Sequence, residues 1–117
     1  MHGRLPAGVN EASNVIIGAA IEVHRHLGPG LLESVYERAL AHELELRGLT
    51  VDRQVPVTVY YKGLAIEGQR LDMIVAPGVV VELKAVERFA SIHEAQLISY
   101  LRASGHRLGL LINFNRM

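Results

Sequence analysis

The hydrophobic positions change their period along this chain, and each change marks a different kind of element. Before Leu27, apolar residues fall at Val15, Ile16, Ala19, Ala20 and Val23, a 3,4 spacing that predicts one helix from Asn10 to His26. Gly28-Pro29-Gly30 stops it, because Gly serves as a C-terminal cap and Pro29 pushes its predecessor out of the helical region. A second helix begins almost at once. Leu31, Leu32, Val35, Tyr36, Leu40 and Leu44 mark its face, and Arg47-Gly48 its end. From Leu49 the period drops to two, with Val51, Val55, Val57, Val59 and Tyr61 on alternate positions of a strand in which Pro56 implies an edge or a bulge. Lys62-Gly63 turns the chain into a strand from about Leu64 to Val75, bent at Gly68. The turn Ala76-Pro77-Gly78 leads to a strand over 79–85. Ser91-Ile92-His93-Glu94 has the form of a capping box and predicts a third helix closed by Gly105, with Gln96 and Tyr100 four apart on one stripe. A buried strand over 107–114 completes the order ααβββαβ.

Within the central hairpin, three ionisable residues interrupt apolar sequence. A three-residue turn sets Val75 opposite Val79, and counting outward sets Asp72 opposite Glu82, with Lys84 on the Glu82 face. Opposed cross-strand residues have Cβ atoms about 5 Å apart. Two carboxylates at that spacing repel unless a cation or a shared proton lies between them, and apolar residues would fit such strands better. Both faces of these strands carry apolar residues, so helices are expected to cover both.

Composition narrows the classes of function. A chain of 117 residues with no composition shift, repeat or linker reads as one domain over 1–117, with 1–10 as a flexible lead-in. No apolar run approaches the roughly 18 residues that span a bilayer, and the start lacks the apolar core of a signal peptide. With no cysteine, disulfides and thiolate metal sites are excluded, and a reducing cytoplasm is the expected setting. Twelve basic and twelve acidic residues cancel, so any contact with nucleic acid depends on a local patch rather than on a global field.

The acids Asp72 and Glu82, with Glu33 in the first turn of the second helix as a further member, offer hard oxygen donors suited to Mg²⁺ or Mn²⁺. Such an ion polarises a phosphoryl oxygen and activates water, and Lys84 would orient that water or stabilise developing negative charge. A plainer reading pairs Asp72 with Lys84 across the sheet and leaves Glu82 solvated. Gln96 is a candidate for phosphate contact, Tyr100 for stacking on a base and Arg70 for a phosphate-binding patch.

Asp72 followed by Glu82-Leu83-Lys84 resembles the PD-(D/E)XK nuclease superfamily. More narrowly, the stretches over 17–24 and 27–36, then Val81-Glu82-Leu83-Lys84-Ala85, His93-Glu94-Ala95-Gln96 and Gly109-Leu110-Leu111-Ile112-Asn113-Phe114, resemble its GxxExxY family across residues 13 to 115. The resemblance implies an α/β fold, an αβββαβ core with one helix prefixed and a mixed four-stranded sheet flanked by helices. It implies an active site of Glu33, Asp72, Glu82 and Lys84, with the three acids holding metal. Gln96 and Tyr100 match the Gln-x-x-x-Tyr motif of related nucleases, and Tyr36 joins them and Arg70 as a substrate-side residue. Arg70-Leu71 stands where the superfamily has Pro before the first acid. The expected function is a Mg²⁺- or Mn²⁺-dependent nuclease acting on nucleic acid, DNA first, as a homodimer free of the membrane. Two other classes share these residues: a non-catalytic binding or assembly module, and a hydrolase of small phosphorylated ligands.

Overall fold

Small and branched residues at helical spacing bury one stripe of the leading helix, α1 (Val9–Leu27), through Ala12, Ile16, Ala19 and Val23. The structure, a computed structural model, describes residues 8–115. Val9 and Asn10, expected in the flexible lead-in over 1–10, already lie in α1, and Val9 is buried; residues 1–7 lie outside the described residues. The second helix, α2 (Glu33–Leu46), starts two residues after its apolar pattern does. Leu31 and Leu32 precede it, both exposed, so they do not extend its buried face of Tyr36, Leu40, Ala41 and Leu44.

Four strands follow the period-two pattern: β1 (Val51–Tyr61), β2 (Leu64–Val75), β3 (Val79–Lys84) and, after α3 (Ser91–Ser104), β4 (Leu108–Asn113). They form one sheet in the order β1-β2-β3-β4, antiparallel at the first two junctions and parallel between β3 and β4. The result is the expected α/β arrangement of three helices on a mixed four-stranded sheet. β1 is an edge strand, and its ladder shifts register between Val57 and Val59, close to Pro56.

Alternation along β3 and over Met73 to Val75 of β2 divides the core, while Leu71, two residues before Met73, falls in the other cluster. Met73, Val75, Val79, Val81 and Leu83 join the main core cluster with the buried stripes of α1 and α2. Val80 belongs to a second cluster with Val57 and Leu71, against which Leu97, Tyr100 and Leu101 of α3 are packed. The α3 stripe is divided rather than buried as a unit. Leu97 and Leu101 face the sheet, whereas Ile92 and Ile98 stay exposed, and no residue of the helix is fully buried. Its cap also differs from the expected box. Ser91 already lies in the helix, and His93 Nδ1 accepts the Ala90 backbone N–H at 3.0 Å.

Contact between α3 and β4 depends on Gly109, where an added Cβ would lie 2.7 Å from Leu97 Cδ1 and 3.3 Å from Leu101 Cδ1. Gly109→Ala should therefore destabilise the fold by about 1–3 kcal/mol through overpacking, read from urea denaturation. An unchanged midpoint would mean that α3 does not rest on β4 this closely.

Candidate active site

The β2–β3 ladder runs from Val75–Val79 through Ile74–Val80 to Met73–Val81, which sets Asp72 opposite Glu82 as the turn length predicts. At that pair the backbone ladder gives way to side chains. Asp72 N–H donates to Glu82 Oε1 at 3.1 Å, and Leu83 N–H donates to Asp72 Oδ2 at 2.7 Å. Beyond it the strands part company. β2 remains paired with β1 through Leu71, Arg70 and Gln69, while β3 remains paired with β4 through Leu83 and Lys84. The two acids thus sit at a fork in the sheet, where their carboxylates accept the backbone N–H groups of Leu83 and Asp72.

Glu82 is 5% exposed. Burial first, and then the adjacent Asp72 charge, push its carboxyl from 4.5 to about 8, against the opposing pull of the Asp72 N–H and of Lys84. Near neutral pH, the pair is therefore short of positive charge and Glu82 retains a proton. Lys84, half-buried, forms no ion pair among the described residues, so the alternative Asp72–Lys84 bridge is not formed.

Glu33 reaches the same strand end from the first turn of α2, where its Oε1 accepts the Ala85 N–H at 3.1 Å. Two loops set this approach. Gly30 N–H donates to Asn115 Oδ1 at 3.1 Å, and Tyr36 Oη donates to Gly28 O while accepting the Leu31 N–H. Behind Lys84, Asn113 Oδ1 accepts the Val86 N–H at 3.1 Å and Asn113 Nδ2 donates to Val86 O at 2.7 Å. Tyr36, expected at the substrate, is instead fully buried and stacked on Phe114, ring centroids 4.7 Å apart. Its place is behind the site, holding the loop that precedes Glu33. Neither Asn113 nor Asn115 stands among the candidate site residues of the sequence, yet their amides hold Val86 and Gly30. Their only signal was polarity at the end of an apolar strand.

Tyr100 stands on the acid side of the sheet. Burial, then the charges of Glu82 and Asp72, push its phenol up, and its hydroxyl donates to Gln69 Oε1 at 3.3 Å. Gln96, one turn before it, is exposed and lines a groove with Tyr100 and Gln69. Arg70 is also exposed, its Nη1 donating to Gln54 O at 3.2 Å on the neighbouring strand rather than to either acid.

Among the described residues, no group of three or more His, Asp or Glu side chains is gathered closely enough to hold a metal ion. The Asp72–Glu82 pair nevertheless fits one. The two carboxyl groups face each other and share a hydrogen bond, and among the described residues neither is ion-paired with a cation. Mg²⁺ characteristically takes about one or two protein carboxylates and keeps water and phosphate for its other positions.

The family model of the PD-(D/E)XK nuclease superfamily matches residues 10–117. The chain belongs to that superfamily. No curated protein and no solved structure gives a significant match. Membership in the PD-(D/E)XK superfamily points to a nuclease with a nucleic-acid substrate, and nucleases of this superfamily generally use divalent metals. No helix among the described residues is long and apolar enough to cross a membrane.

The raised Glu82 carboxyl yields a prediction with a definite sign. Between about pH 4.5 and 8 the native state holds a proton that the unfolded state has released, so metal-free stability falls as pH rises through that window. Thermal melts in a chelator should show this decline, and Glu82→Gln should flatten it. A wild-type melting temperature that rises from pH 5 to 8 would contradict the assignment.

Proposed function

We propose that this protein is a divalent-metal-dependent nuclease that hydrolyses phosphodiester bonds at the fork between β2 and β3. The observation that carries the reading is the opposed pair of half-buried Asp72 and buried Glu82, without an ion-paired cation, at the fork where β2 and β3 separate. Mg²⁺ or Mn²⁺ held by these acids would polarise a phosphoryl oxygen and lower the pKa of a bound water. Glu33 is the third acid of this reading, held at Ala85, one residue beyond Lys84.

The chain's own groups supply orientation and charge. Lys84 lies on the Glu82 face with no competing ion pair among the described residues, so its ammonium is available to a phosphate oxygen or to the attacking water. Asn113 holds the backbone just after Lys84, and Asn115 and Tyr36 hold the loop before Glu33. These contacts fix two loops that would otherwise have to be ordered as substrate binds. Gln96 and Tyr100 belong to the substrate side, and Arg70 is available to the phosphate backbone from β2. In this reading Tyr36 acts through the loop and touches no substrate.

Glycine, acid and tyrosine stand in the GxxExxY spacing at Gly30, Glu33 and Tyr36, which supports the narrower family. A homodimer working on DNA in the cytoplasm completes the proposal. The neutral net charge and small size favour pairing of two domains around a polymer, and the lack of cysteine favours a reducing compartment. A non-catalytic binding or assembly module is the second reading, favoured by the exposed apolar Tyr61, Leu64 and Ile66 of the projecting β1–β2 hairpin.

Incubation of the pure chain with single-stranded and duplex DNA and with RNA, in Mg²⁺ or Mn²⁺, separates the two. Nuclease action predicts cleavage reduced to background by Asp72→Ala and lowered about 10²–10³-fold by Lys84→Ala. Cleavage that survives Asp72→Ala would reject this site. Partner binding unaffected by Lys84→Ala, with no cleavage at all, would favour the module.

A further inference from the structure

A groove of about 370 Å³ lies between the β1–β2 hairpin and α3, with Tyr100 among its lining residues. Its apolar walls are Val59 of β1 and Ile92, Ala95 and Ala103 of α3. Its polar groups are all neutral: Gln69, Gln96, Ser99 and the Tyr100 hydroxyl. Gln69 accepts the Tyr100 hydroxyl through Oε1, which leaves its Nε2 protons to donate. Gln96 and Ser99 have no side-chain hydrogen bond among the described residues, so each can donate and accept.

This lining selects against a phosphate. Phosphate contacts are made by Lys, Arg and other donors that offset charge, whereas no charged side chain lines this groove. It suits a flat, neutral heterocycle whose edge carries both donors and acceptors. A volume of about 370 Å³ stands at the small end of ligand sites, enough for one such ring. The groove is also tied to the acids. Gln69 lies three residues before Asp72 on the same strand, about 10 Å along it. Tyr100, which lines the groove, feels the charges of both acids.

We propose that this groove receives one unpaired nucleobase of a strand whose phosphate lies at the Asp72–Glu82 fork. The proposal rests on the nuclease reading and deepens it by naming the substrate class. A base inside a duplex has its faces stacked and its pairing edge occupied, so entry requires a single strand, a frayed end or an extruded base. The exposed apolar walls of the groove cover the ring, and the amides and hydroxyl read its edge. The protein therefore acts on single-stranded or unpaired nucleic acid in preference to intact duplex.

Binding is measured on the full chain in a metal chelator, so that the result does not depend on hydrolysis. The probes are a single-stranded oligonucleotide carrying 2-aminopurine, the same strand in a blunt duplex, and an abasic strand of equal length. The single strand should bind with a change in 2-aminopurine emission, and the duplex and the abasic strand should bind on the order of tenfold more weakly. Ala95→Trp and Ser99→Trp, two fillings at exposed positions of α3, should each weaken the single strand on the order of tenfold while leaving the melting temperature unchanged. Equal binding of all three probes, or binding indifferent to both tryptophans, overturns the groove. Asp72-dependent cleavage without any 2-aminopurine response would remove the groove and keep the nuclease. Base binding that no metal converts into cleavage would do the reverse.

Discussion

Two carboxylates that replace a rung of the β2–β3 ladder are the constraint on which the rest of this structure depends. A continued ladder would have kept four strands together along their length, and the sheet would have had no opening. Here Asp72 and Glu82 take the N–H groups of Leu83 and Asp72, so the strands can separate without leaving those donors unpaired. The same exchange buries Glu82 beside a half-buried Asp72, which raises the Glu82 carboxyl to about 8 and leaves the pair in need of a proton or a cation. Structural satisfaction and chemical demand arise from one arrangement of atoms.

The fork is supported from behind by the last residue of β4 and the two that follow it. Asn113, Phe114 and Asn115 hold Val86, Tyr36 and Gly30 respectively, and these three contacts reach both loops that carry site residues. A small domain has one main core, and here its edge doubles as the frame of the site. The Tyr36–Phe114 stack closes the core and fixes the loop before Glu33 in the same contact. A substitution there would disturb stability and site geometry together, whereas changes at exposed Gln96 or Arg70 leave the fold alone.

Much of this was legible because strand geometry leaves little choice. A three-residue turn and a side-chain period of two suffice to set Asp72 opposite Glu82 and to place Lys84 on their side. What could not be read depended on contacts across long separations. Tyr36 carries the same apolar period whether it packs inward or meets a substrate, and only Phe114, distant in sequence, decides the matter. Asn113 gave no sign that its amide would hold Val86. The division of α3 was hidden for a related reason: its isoleucines and leucines look alike by hydropathy, and the close approach permitted by Gly109 selects Leu97 and Leu101. The groove likewise combines α3 with a β1–β2 hairpin whose projection follows from the fork.

The account's central claim is that Asp72 and Glu82 form a cation site rather than a buried pair served only by a shared proton. Crystals of the wild-type protein soaked in Mn²⁺ test it most directly, with data collected to give anomalous differences for manganese. An anomalous peak between the two carboxylates, absent in crystals of Asp72→Asn, is the predicted result. A well-ordered site with no peak at saturating Mn²⁺ and pH 8, or a peak that persists without Asp72, would contradict it.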